Sequence, residues 1–128
     1  MKYLLDTHLV LWGLTGDKRL PDVVVRLMQS ANDRVFVSMA SVWEVAIKHK
    51  KHPKEMPMSS NDLLQCLRTF RTGILPIKLE HIVATETLPD MHKDPFDRLL
   101  IAQAISEPMR FLTHDEKLVP YSELVEWV

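Results

Sequence analysis

Cysteine, glycine and any excess of one charge are scarce in this sequence, and each scarcity removes a class of function. The one cysteine, Cys66, excludes an internal disulfide; set between Leu64 and Leu67 of an apolar stripe, it reads as a small buried hydrophobe and not as a catalytic thiol. Glycine occurs only at 13, 16 and 73, so no glycine-rich loop can cradle a nucleotide phosphate, and no nucleophile elbow of a serine hydrolase is present. No apolar run reaches the roughly 18 residues that a transmembrane helix needs, so no membrane partner is expected. The apolar N-terminus is interrupted by Asp6 and His8 without a small-residue cleavage site, and it reads as a first strand, not a signal peptide. The expected location is therefore cytoplasmic. Sixteen basic residues stand against seventeen acidic ones, a balance that lacks the broad positive field of an avid, nonspecific nucleic-acid binder.

What is present is one ordinary domain. A chain of 128 residues is long enough to bury a core, and 46% hydrophobic with 26% charged residues is the composition of a globular protein, so residues 1–128 are read as a single domain. Lys2 to Leu5 reads as a buried strand that ends at Asp6, ahead of the apolar-rich stretch Leu9 to Leu14, with Gly13 and Gly16 as punctuation. Pro21 to Ser30 sets Val24, Leu27 and Met28 on one helical face, with Pro21 in the first turn. Arg34 to Val37 predicts a second strand, and Ser38 an N-cap for a helix through Val42, Val45, Ala46 and Ile47. After a polar link, Asn61 to Phe70 predicts a helix stopped by Gly73, then Ile74 to Leu79 a strand. Glu80 to Leu88 and Asp94 to Ser106 read as helices, Met109 to Thr113 as a strand, and Leu124 to Val128 as a last edge strand. Strands that are nearly continuous apolar runs, alternating with helices, predict an α/β fold whose mainly parallel sheet is covered on both faces.

In such a sheet, ligands gather beyond the carboxyl ends of the strands. Asp6 and Asp115 directly follow strands, Glu44 lies about two turns into the helix after the second strand, and Asp97 lies in the first turn of the helix opened by Asp94. These acids can face one crevice. Crowded carboxylates repel unless protons or cations neutralise them, and hard oxygen donors favour Mg²⁺ or Mn²⁺ over zinc. Such ions activate water and steady phosphate oxygens, which is nuclease chemistry. Thr113 and Thr7 are candidates to support an acid or a water, and Arg98 to pair with a carboxylate or a scissile phosphate. Each acid also has a purely structural explanation. Asp94 before Pro95 is a natural N-cap and is assigned that role; Asp97 then suits the third helical position, Glu44 a solvated helix face and Asp115 the start of a turn.

Four blocks carry a resemblance: Tyr3-Leu4-Leu5-Asp6-Thr7-His8, Ser38-Met39-Ala40-Ser41-Val42-Trp43-Glu44, Asp94-Pro95-Phe96-Asp97-Arg98-Leu99-Leu100-Ile101-Ala102-Gln103-Ala104 and Leu112-Thr113-His114-Asp115. In this order they resemble the motifs of PIN-domain proteins, and among these the VapC-like toxins of bacterial toxin–antitoxin pairs. The resemblance implies a three-layer α/β/α PIN-like fold and Mg²⁺- or Mn²⁺-dependent endoribonuclease activity. It also implies inhibition by a small cognate antitoxin and, commonly, a homodimer. Carried over by position, the metal-binding and catalytic acids are Asp6, Glu44, Asp97 and Asp115, with Asp94 beside them.

The remaining features leave alternatives open. Lys48, Lys50 and Lys51 can supply sequence-independent RNA phosphate contacts, or simply be a solvated helix end favoured by the dipole. His49 and His52 have helical spacing, which keeps zinc as a minor option. Trp12 and Trp43 can stack on a base, although packing in the core or at a dimer interface is the reading adopted, and Tyr121 and Trp127 are ambiguous in the same way. Leu63, Leu64, Leu67 and Phe70 suit either a core or a groove for an antitoxin helix. Two other functions compete with the RNase. A phosphatase using Asp6 as nucleophile lacks a second aspartate two positions on, and a non-catalytic module that binds RNA or protein has no need of four acids.

Overall fold

The computed structural model describes residues 1–90 and 93–128. The elements run β1 (Lys2–Leu5), α1 (Thr7–Thr15), α2 (Asp22–Gln29), β2 (Arg34–Ser38), α3 (Met39–Lys51), α4 (Ser60–Thr69), β3 (Gly73–Leu75), α5 (Leu79–Ala84), α6 (Pro95–Ser106), β4 (Arg110–Thr113) and β5 (Val125–Trp127). Short 3-10 turns cover Thr85–Thr87 and Glu116–Tyr121. Every strand pairing is parallel, in the order β3-β2-β1-β4-β5. The chain builds outward from β1 through β2 to β3, then returns to the other side of β1 for β4 and β5. The reversal falls between β1 and β4, which is where an open parallel sheet leaves a crevice at its carboxyl edge.

Side-chain alternation along the strands divides the core in two. Leu4 and Phe111 share one face with Leu100, Ile101 and Ala104 of α6. Leu5, Val37 and Leu112 share the other with Leu9 and Val10 of α1, Val24 of α2, Val45 of α3, and Leu63 and Leu67 of α4. Helices therefore cover both faces, giving the three-layer α/β/α arrangement. The α4 stripe is used as core at Leu63 and Leu67, while Phe70 at its end is left exposed.

A buried polar bridge ties the layers together near the carboxyl edge. The Ser38 hydroxyl, at the N-cap of α3, accepts from Ala40 N and donates to Gln103 Oε1 on α6. Gln103 Nε2 donates to the Pro76 carbonyl and approaches His81 Nδ1, both at 3.3 Å. Fully buried amides and hydroxyls are costly unless partnered, and here each is partnered. The bridge fixes α3 against α6, the helices that carry Glu44 and Asp97.

Several boundaries differ from the sequence-based expectation for definable reasons. β3 ends at Leu75 instead of continuing to residue 79, because Pro76 offers no N–H to a ladder. The helix expected over Glu80 to Leu88 is α5 followed by the 3-10 turn; the Thr85 hydroxyl bonds the Ile82 carbonyl at this point. Gly73 does not stop α4. Arg71 takes the left-handed conformation there (φ 55°), and Gly73 instead lies under Phe36, where a Cβ would meet the ring at 2.7 Å. Gly13 lies inside α1, which ends at Gly16 with φ 67°. Pro21 sits at the N-cap of α2, one position before the first turn. Among the described residues no helix is long and apolar enough to cross a membrane.

Gln103→Leu keeps the volume but orphans the Ser38 hydroxyl and the Pro76 carbonyl. It is expected to cost about 2 kcal/mol in urea unfolding. Gln65→Leu, on the exposed side of α4, is expected to change stability by less than about 0.5 kcal/mol. Equal effects at both positions would remove the bridge as a determinant of stability.

Candidate active site

Asp6 follows β1 and occupies the N-cap position of α1, yet its side chain does not cap the helix. Its main-chain N–H continues the β1–β4 ladder to the Leu112 carbonyl at 2.9 Å, and its Oδ2 accepts from the Thr113 hydroxyl at 2.7 Å. The same Thr113 oxygen accepts from Asp115 N at 3.0 Å, so one residue at the end of β4 orients two of the acids. Asp115 in turn accepts from Lys117 N, opening the 3-10 turn that its sequence position suggested.

Glu44 comes from the second turn of α3 and is buried. Thr7 donates to its Oε1 at 2.9 Å. Because a hydroxyl has one proton, the contact of 2.8 Å between Thr7 and Ser41 requires Ser41 to be the donor, so Ser41, Thr7 and Glu44 form a directed relay. Lys48, one turn beyond Glu44, closes on its Oε2 at 2.6 Å. Asp94 caps α6 by accepting from Phe96 N and Asp97 N, as expected, and leaves Asp97 half-buried in the first turn.

The structure brings all of these acids to one place. Asp6, Glu44, Asp94, Asp97 and Asp115 line a cleft of about 340 Å³ together with Lys48 and Arg19. It lies at the carboxyl edge of the sheet, between β1 and β4. Burial pushes the Asp6 carboxyl above its ordinary range, and the charge of Glu44 adds to the rise against the opposing pull of Thr113, His8 and Thr7. Partial burial works against the charge on Lys48, but the hydrogen bond and charge of Glu44, with Asp94 and Asp97 behind it, outweigh this and hold its pKa above the usual value. The lysine neutralises one acid of several. A set of carboxylate oxygens, one of them buried and disfavoured as an anion, is a donor set suited to a hard divalent cation.

Other sequence candidates fall elsewhere or gain a different task. Arg98 pairs with a carboxylate, as one expectation had it, but that of Asp90 at 4.0 Å, and it donates to the carbonyls of Thr85, Leu88 and Pro89, so it fastens the segment before α6. Lys50 and Lys51 are exposed at the end of α3. His49 directs Nδ1 to the Met56 carbonyl, which requires the proton on that nitrogen. Trp12 packs against the core, as expected, while Trp43 is 59% exposed and meets the edge of Phe96. Arg19 was not singled out by sequence, and His8, Ser41 and His114 stand in the motif blocks without an assigned role. Ser41 had a signal, three residues before Glu44 on the same helical face, whereas Arg19 comes from a loop with none.

A second compact group, Glu80, His81 and Glu107, lies outside the lining of this cleft. His81 Nδ1 accepts from Lys78 N, so Nε2 carries the proton and donates to Glu107 Oε2 at 2.6 Å. That tautomer leaves no ring lone pair for a metal. Lys78 already pairs with Glu107 at 3.4 Å, and the His81 hydrogen bond is the main reason that the Glu107 carboxyl is held below its ordinary range. The group is a structural clasp between α5 and the end of α6.

The fold and cleft define a three-layer α/β/α protein with an acidic centre at its topological switch point. The chain belongs to the PIN domain family, whose model matches residues 3–123. Its fold is similar to that of VapBC2 from Rickettsia felis bound to a DNA fragment from its promoter (TM-score 0.71, 18% identity, 99% of this chain and 98% of that chain covered). It is also similar to VapBC-1 from nontypeable Haemophilus influenzae (TM-score 0.69, 18% identity, 100% and 97% covered). Curated protein sequences give no significant match.

The electrostatics of Asp6 yield a pH prediction. A carboxyl whose folded pKa is raised binds its proton more readily when folded, so its contribution to stability is lost as pH rises through the folded value. Asp6→Asn is uncharged and still accepts from Thr113. In EDTA its stability advantage over the wild type is expected to widen as pH rises, and Mg²⁺ is expected to raise the Tm of the wild type but not of the variant. Thermal melts across a pH series check both, and a constant difference between the proteins would contradict this account of Asp6.

Proposed function

We propose that this protein is a metal-dependent endoribonuclease, the toxin of a toxin–antitoxin pair. The observation that carries the reading is the convergence of Asp6, Glu44, Asp97 and Asp115 on one cleft at the switch point. PIN-family membership supports a nuclease, and the VapBC structures with the same fold support a small cognate antitoxin as partner.

In this reading Asp6, Glu44, Asp97 and Asp115 are the catalytic acids that hold Mg²⁺ or Mn²⁺. The ion supplies Lewis-acid stabilisation of phosphate oxygens and a more acidic attacking water. The chain's own residues set the stage. Thr113 orients Asp6, and the Ser41–Thr7 relay orients Glu44. Asp94 serves by capping α6, so that Asp97 is presented at a helix N-terminus where its charge is favoured. Lys48 keeps a positive charge beside the reacting phosphate, while exposed Lys50 and Lys51 add salt-sensitive contacts along the RNA backbone. The protein acts in the cytoplasm as a homodimer, for which Met39 and Trp43, one turn apart on α3 and both exposed, offer apolar surface.

The test is cleavage of mixed cellular RNA by purified protein freed of antitoxin, with Mg²⁺ or Mn²⁺ and with EDTA. Discrete metal-dependent cuts are expected, and these are lost in Asp6→Asn and Asp97→Asn. Thr113→Val removes one support of Asp6 and is expected to lower metal affinity or activity about 10- to 100-fold. Cleavage that survives both aspartate substitutions, or its absence from folded, metal-loaded protein, would overturn the assignment.

A further inference from the structure

We propose that Trp12, His114 and Trp127 form a stacking rail that holds unpaired bases of a single-stranded RNA beside the acidic cleft. The inference rests on the ribonuclease reading and names where that enzyme takes hold of its substrate. The three rings touch one after another. Trp12 meets His114 edge to face at 5.3 Å between centroids, and His114 stacks on Trp127 at 5.6 Å with 23° between planes. Trp12 and His114 line the same cleft as the carboxylates. Trp127 pairs with Thr113 in the β4–β5 register, which places it one strand out from the residue that orients Asp6.

Trp12 is partly buried against the core, and the other two rings are not. His114 is exposed and Trp127 is 49% exposed. The rings are nevertheless fixed. His114 Nδ1 donates to the Val128 main-chain oxygen at 2.6 Å, and Trp127 Nε1 donates to the His114 carbonyl at 3.2 Å. A pre-ordered aromatic stack loses little further entropy when a base adds to its half-exposed Trp127 end, and every base offers a π-face for that contact. Charge complements the arrangement. The Arg19 guanidinium lies 4.8 Å over the Trp12 ring, held there by its fork on Asp17, whose carboxyl it pulls down to about 2. The rail thus has at its start a guanidinium, itself paired with Asp17, in the lining of the same cleft.

Binding is read by fluorescence anisotropy with a labelled adenylate decamer and a base-free decamer of equal charge, Ca²⁺ replacing Mg²⁺ so that the strand is held without cleavage. The wild type is expected to bind the adenylate strand about tenfold or more tightly than the base-free strand. Trp127→Ala is expected to lose most of that difference and Trp127→Phe to keep it, with circular dichroism confirming that both variants fold. Equal binding of the two strands by the wild type, or an unchanged preference in Trp127→Ala, would overturn the rail. So would loss of antitoxin capture by Trp127→Ala with RNA binding intact, which would make the surface a protein contact. Cleavage of the adenylate strand in Mg²⁺ is followed separately. A base preference that depends on Trp127 in a protein that never cleaves RNA supports the rail and removes the nuclease. Metal-dependent cleavage with no base preference does the reverse.

Discussion

The hydrogen bond from Thr113 to Asp6 joins positions 107 residues apart and closes the seam between β1 and β4. Its geometry depends on the two strands ending level, which the register Leu5 to Leu112 and the ladder bond from Asp6 N to Leu112 ensure. A slip in the parallel pairing would reverse the faces of these short strands and withdraw Leu5 and Leu112 from their core. The buried apolar pairs therefore hold the acids in register, and the acids exploit a placement that hydrophobic packing has already secured.

Holding several carboxylates in one cleft opposes folding, and the fold offsets the strain locally. α1 and α6 begin at the cleft, so the positive ends of their dipoles point toward it. The acids divide by how their oxygens are used. Asp94 and Asp115 satisfy backbone N–H groups, whereas Asp6 stands at an N-cap position and declines the cap, giving its oxygen to Thr113 instead. Burial disfavours the anion of Asp6. A side chain placed against its local preference and made costly to ionise marks a site shaped by something other than stability.

Legibility in the sequence followed the range of the interaction responsible. Strands β1, β2 and β4 were readable because buried parallel strands are apolar throughout, and the caps at Ser38 and Asp94 because each depends on only the next few residues. The early end of β3 was also local, since Pro76 announces it, but the apolar residues around that proline outweighed the missing donor. The glycine at 73 misled because its reason is the Phe36 ring on a neighbouring strand. Candidate acids could be named by spacing and resemblance. Their company could not, because Arg19 approaches from a loop and Arg98 turns to carbonyls that no motif describes.

The near-zero net charge takes on a different meaning once the charges are placed. Acidic groups crowd at the carboxyl edge, with Lys48 and Arg19 beside them, while Lys50 and Lys51 are exposed at the end of α3. Without a cation such a cleft repels phosphate; with one, the same oxygens become the means of attracting it. On the proposed reading, metal and RNA must therefore strengthen each other's binding, because a favourable effect of the ion on RNA affinity requires an equal effect of RNA on ion affinity. A globally basic protein would hold nucleic acid regardless of the ion. On that same reading this chain, close to neutral overall, makes retention of a polyanionic substrate conditional on the cation that the proposed chemistry needs.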